Sequence, residues 1–146
     1  MRSGVKKMGT KFVVDLTQIH NNVNKILKTI PSRAYSALNE IANDVSGEAK
    51  DLAPFKKGFL QESIRGEVVK DNLGNTSAAI IYVPSNHQAS TYAIKMHENT
   101  YNLGKGSVLK QQRTVKIVGR KFITRAIDNR SDRIKKIIEY YFRNKK

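Results

Sequence analysis

A chain of 146 residues is the size of one ordinary domain, and the expected organisation is a single domain over 1–146 with its own core. The absence of cysteine excludes disulfides, thiolate metal sites and a cysteine nucleophile, leaving three histidines as the nitrogen ligands. The net charge of +15 sits at the ends: residues 1–11 hold four Lys/Arg and no acid, and residues 113–146 hold twelve against three acids.

Such asymmetry fits a polyanion partner, nucleic acid first, or an acidic protein surface. The plainer alternative is a flexible basic arm over 1–11 and a solvated basic helix face. After that arm, Leu16, Ile19, Val23, Ile26, Leu27 and Ile30 recur at helical spacing and predict a first helix that Pro31 ends. Ser32 suits the N-cap of a second helix from about Arg33 to about Leu52, with Leu38, Ile41, Val45, Ala49 and Leu52 on its stripe and Pro54 beyond it. Gly47 within it costs about 1 kcal/mol relative to alanine, or marks close packing. From Ser63 to Val69 the period shortens to two, placing Ile64, Gly66 and Val68 on one face. The turn-rich stretch Lys70 to Asn75 and the run TSAAIIYVP complete a predicted β-hairpin.

Tyr92 to His97 reads equally as a short helix or a strand. Asn99 to Lys110 is a predicted loop, with Asn102, Gly104 and Gly106 as breakers, and Thr114 to Val118 a predicted short strand. Beyond Gly119 the apolar positions from Phe122 to Phe142 predict one long C-terminal helix with a basic outer face. The sum is an α+β fold: a small antiparallel β-sheet packed against two or three α-helices, with long N-proximal and C-terminal helices. The longest apolar run, Ala78 to Val83, is far short of the roughly 20 residues of a membrane span, and no run of signal-peptide length follows the basic start, so a soluble, unexported protein without membrane contact is expected.

His97 and Glu98 match the opening of the zinc-protease signature His-Glu-x-x-His, but Tyr101 stands where the second histidine must be. His20 and His87 have no partner at ligand spacing. No nucleophile elbow, phosphate loop or dinucleotide fingerprint is present, and LGKGS, Leu103 to Ser107, lacks phosphate-loop spacing. No catalytic residue, metal site or cofactor is therefore expected. His97 and Glu98 read as a hydrogen-bonded pair at the sheet edge or at a subunit contact, and Glu40 and Glu48 as solvent-facing partners of nearby cations.

Three segments in order carry a resemblance. APFKKGFLQESI, through Pro54, Gly58, Leu60, Ser63 and Ile64, resembles a pattern that follows the long helix in the tail-completion and minor capsid proteins of tailed bacteriophages. TYAIKMHENTYNLGKGS is similar to a second segment of that family through Tyr92, Ala93, Glu98 and Gly104, and GRKFITRAID to a third through Phe122, Ile123 and Ala126. The resemblance spans about Ala34 to Ile138, leaving Met1 to Pro31 outside. It implies a non-enzymatic α+β protomer, without cofactor, that forms a homo-oligomeric ring (hexamer or dodecamer) at the head-to-tail junction of a virion made in the host cytoplasm. Partners implied are connector or neck proteins and tail tube or terminator proteins.

Tyr92, His97, Glu98, Tyr101, Asn102, Gly104 and Lys105 form the expected subunit or partner interface, with ordinary core and edge roles as the alternative for Tyr92, His97, Glu98 and Tyr101. The competing functional reading is a small nucleic-acid-binding protein using Arg125, Arg130, Arg133, Lys135, Lys136 and Arg143 on phosphates. The two overlap if basic side chains face phage DNA transiently in a ring lumen.

Overall fold

The computed structural model describes residues 31–143; the expected basic arm and first helix lie outside the described residues. The element order is α1 (Pro31–Leu52), α2 (Phe59–Ser63), β1 (Arg65–Lys70), β2 (Thr76–Tyr82), α3 (Ser90–Glu98), α4 (Lys105–Thr114), α5 (Phe122–Asn129) and α6 (Ser131–Phe142). This is the α+β architecture expected, with six helices and a two-stranded antiparallel sheet among the described residues.

Helix α1 is the central element. Its described span runs from Pro31 to Leu52. Ala37, Leu38, Ile41, Ala42, Val45, Ala49 and Leu52 are all buried and join one core. Helix α1 packs on both strands of the hairpin and also on α5 and α6. Each large apolar side chain so buried contributes about 1.5–3 kcal/mol. Gly47 has nothing near its Cα that a side chain would meet, so it marks no close packing. Gly66 does: a Cβ there would overlap the carbonyl oxygen of Ala42, and the bare backbone lets β1 lie directly on α1.

The hairpin follows the sequence pattern. Gly66 pairs with Ile81 and Val68 with Ala79, and the ladder shifts register between Val69 and Lys70. The turn is built by Asp71, whose Oδ1 accepts the N–H groups of Leu73 (2.9 Å) and Asn75 (2.9 Å), with Gly74 at φ 80°.

One open reading is resolved and three expectations are corrected. Tyr92 to His97 is helical, within α3, and the predicted loop Asn99 to Lys110 contains the start of α4, with Gly104 in ordinary extended geometry at its N-cap (φ −73°, ψ 168°). The predicted strand Thr114 to Val118 is absent. Thr114 ends α4, Val115 turns into the left-handed region at φ 55°, and Val115 and Ile117 are 90% and 74% exposed. Their alternation marks two outward side chains, and the local carbonyls of Ile117, Gly119 and Arg120 accept hydrogen bonds from the Arg125 guanidinium in place of a strand (2.7, 3.2 and 2.9 Å). The expected long C-terminal helix is two helices. The polar run Asp128-Asn129-Arg130-Ser131 is poor in helix formers; Arg130 leaves helical geometry (φ −99°, ψ 7°) and its N–H bonds back to Ala126 O (3.1 Å).

Candidate partner-binding cleft

The C-terminus of α1 shows how the site is assembled. A helix leaves its last carbonyls without intrahelical donors. Here the Lys110 ammonium donates to Lys50 O (2.5 Å) and Ala53 O (2.7 Å), and Gly119 N–H to Leu52 O (2.9 Å). Burial lowers the Lys110 pKa to about 8, against the opposing charge of Asp51. Pro54 then prevents continuation of the helix, and Gly58, at φ 87°, opens α2 in a conformation a side chain resists.

The turn between them is gripped from α4. Ser107 Oγ accepts the Phe55 N–H (2.8 Å) and donates to Phe55 O (3.2 Å). Gly106 permits that approach, since a Cβ there would lie 2.6 Å from Phe55 O. On the far side, Tyr101 Oη donates to Met96 O (2.8 Å), folding the segment after α3 back over its own last turn.

Between these elements lies a cleft of about 760 Å³. Its wall includes Phe59 and Leu60 from α2, Tyr92 and Met96 from α3, and Tyr101; Lys56, Lys57 and Lys105 stand at it as exposed cations. Of the expected interface residues, Tyr92, Tyr101, Asn102, Gly104 and Lys105 all line this cleft. The geometry thus joins the segment around Pro54 and Gly58 to that around Tyr92 and Gly104.

His97 and Glu98 face elsewhere. His97 is buried in the core, not at a sheet edge or on a contact surface, with its ring edge-on to Phe122 at 4.8 Å and its Nδ1 2.9 Å from Glu98 Oε1. Burial lowers its pKa, with Glu98 opposing. Glu98 also binds Lys121, and Lys121 N–H donates to His97 O (2.7 Å), so the pair fastens α3 to the start of α5. Among the described residues no three His, Asp or Glu side chains are grouped as a metal would require, and no helix is long and apolar enough to cross a membrane.

The basic residues divide in the same way. Arg125 is spent on the 117–120 carbonyls. Arg130 binds Glu48 (3.0 Å) and lies 3.7 Å from Asp44, and Arg133 lies 3.5 Å from Glu40. Lys135, Lys136 and Arg143 are exposed. Glu48, expected to face solvent, is only 5% exposed. It accepts bonds from Lys116 (2.8 Å), Arg130 (3.0 Å) and Asn129 (3.1 Å). Burial raises its pKa, but the bonds from Lys116, Asn129 and Arg130 outweigh that and leave it below the usual carboxylate value.

What the fold and cleft define is an α+β scaffold that presents an apolar, lysine-rimmed recess. The family model described as "Bacteriophage HK97-gp10, putative tail-component" matches residues 17–121, and the chain belongs to this family. It is therefore a bacteriophage structural protein with a role in the tail, placed in the virion among other tail proteins. The match includes residues 17–30, which the resemblance had left outside, and stops at Lys121, before the body of the third resembling segment and before α5 and α6. No curated protein and no solved structure matches the chain.

Proposed function

We propose that this protein joins head to tail, assembling as a homo-oligomeric ring at the junction and docking on connector or neck proteins at one side and tail tube or terminator proteins at the other. It acts by contact alone, without catalysis or a cofactor. The observation that carries this reading is the cleft, where family-like segments remote in sequence converge on one surface. Tyr92, Tyr101, Asn102, Gly104 and Lys105 make the contact; His97 and Glu98 hold the segment in shape behind it. A junction protein needs such a recess for the neck or tail proteins it docks on, while its own copies close into a ring through heterologous patches elsewhere on the surface.

The nucleic-acid reading retains Lys135, Lys136 and Arg143 from the original set; Arg133 is exposed as well but lies 3.5 Å from Glu40. They suit transient contact with DNA passing through a ring. Light scattering of the purified protein, alone and with neck and tail proteins, together with a salt-dependent DNA titration, tests the proposal. Rings or stable complexes with neck or tail proteins are expected. A monomer that ignores those proteins yet binds DNA tightly, with affinity falling steeply as salt rises, would overturn it.

A further inference from the structure

The charge of the cleft carries information about its occupant. Among the described residues, every charged side chain lining it is a lysine, Lys56, Lys57 and Lys105, and no aspartate or glutamate lines it. A second copy is a poor occupant, because the chain carries +15 and its exposed apolar tip, Val115 and Ile117, stands beside Arg113, Lys116 and Arg120. Like charges facing each other across an interface cost affinity. Nucleic acid would satisfy the lysines, but bases bind best on open aromatic faces. This recess is concave, with Leu60 and Met96 in its wall, and its volume falls within the roughly 300–1,000 Å³ of pockets that enclose a ligand.

We propose that the cleft captures an acidic peptide segment of another protein, inserting a leucine- or phenylalanine-sized side chain between α2 and α3 while Lys56, Lys57 and Lys105 hold flanking carboxylates. The proposal rests on reading the Tyr92 to Lys105 segment as a contact surface, not on ring formation. Affinity comes from the inserted side chain in a desolvated recess, and encounter rate and selectivity from the lysines.

The test is fluorescence anisotropy on the full chain, with a labelled peptide of sequence Glu-Asp-Glu-Leu-Phe-Glu-Asp-Glu as probe. Binding is expected, weakened at least about tenfold by the combined charge reversals Lys56→Glu, Lys57→Glu and Lys105→Glu. Gly104→Phe should act similarly as a plug, since Gly104 has ordinary backbone geometry and open space where a side chain would go. A peptide with Leu and Phe replaced by Ser should also bind at least about tenfold more weakly; this control needs no variant to fold. Absence of binding to the folded wild-type protein, equal binding of the serine peptide, or displacement of the probe by a single-stranded oligonucleotide at lower concentration would overturn the proposal. Light scattering separates the readings: rings without peptide binding overturn this inference alone, and peptide binding by a protein that stays monomeric both alone and with neck and tail proteins overturns the ring alone.

Discussion

Replacing Glu48 should destabilise the protein more than any exposed acid of α1. Its carboxylate is buried and holds Lys116, Arg130 and Asn129 together. Removing one member of a buried ion pair costs about 3–5 kcal/mol, because the partner charge is left desolvated. Here the partners are only partly desolvated: the Lys116 and Arg130 side chains are 32% and 35% exposed, and they keep Asp51 (2.7 Å) and Asp44 (3.7 Å). Solvent screening then brings Glu48→Ala to about 2–3 kcal/mol. Glu48→Gln retains the shape and loses the charge, for about 1–2 kcal/mol. Urea denaturation followed by circular dichroism should show the midpoint falling with its slope unchanged. Linkage sets the pH dependence. A carboxylate with a depressed folded pKa contributes stability that is fully present above its unfolded pKa and is lost as pH falls through the folded value. The gap between wild type and Glu48→Gln should therefore be full at neutral pH and close as the medium is acidified below about pH 4. A Glu48→Ala protein within about 0.5 kcal/mol of wild type at pH 7 would refute the account of this cluster.

Phe122→Ala should cost about 3–5 kcal/mol, since the ring is fully buried against His97 and the core; an unchanged melting temperature would contradict that packing. Two glycines should respond with opposite sign. Gly47→Ala, exposed in mid-helix with open space around it, should stabilise by about 1 kcal/mol, whereas Gly66→Ala must displace the Ala42 carbonyl and should lose at least about 1–3 kcal/mol. Chemical denaturation of the pair decides this. Lys110 has a folded pKa of about 8 against an ordinary 10.5, so between those values the unfolded chain holds a proton that the folded one has released. Stability from this group should rise with pH across that window, and Lys110→Met should flatten the rise in a pH series of urea midpoints.

The parts legible in the sequence are those fixed by local chemistry. The apolar stripe of α1, the period-two runs of the hairpin and the stop at Pro54 each depend on residues within a few positions of one another. The misread parts depend on contacts made elsewhere. Gly104 and Gly106 suggest a loop, yet Gly106 lies inside α4 because the helix backbone must approach Phe55 O, a residue 51 positions earlier in the chain. Val115 and Ile117 alternate as a strand would, and only the Arg125 bonds to the surrounding carbonyls show why no strand forms. The break at Arg130 did have a local signal, the polar run from Asp128 to Ser131. The cleft had none, because residues near 55 and near 105 are brought together by the Ser107 bonds to Phe55.

The basic excess has a structural use that its sequence position conceals. Helix α1 carries Glu40, Asp44, Glu48 and Asp51 at steps of four, four and three, which places them along one side of the helix. Their partners follow in reverse chain order: Arg133 at Glu40, Arg130 at Asp44 and Glu48, and Lys116 at Glu48 and Asp51. A segment that returns antiparallel to α1 must present its cations in that order, so the charged pattern specifies the direction in which α6 and the Lys116 turn lie on α1. Spacing within α1 alone could have signalled this stripe, since acids at helical period beside an apolar face imply a cationic neighbour. The same pairing reduces the charge left for partners. Arg130, Arg133 and Lys116 neutralise α1 and Arg125 holds its own loop, while Lys56, Lys57 and Lys105 stand at the cleft and Lys135, Lys136 and Arg143 remain exposed at the C-terminal end. The three lysines at the cleft thus place part of this protein's electrostatic attraction where the apolar recess can convert an encounter into a seated contact.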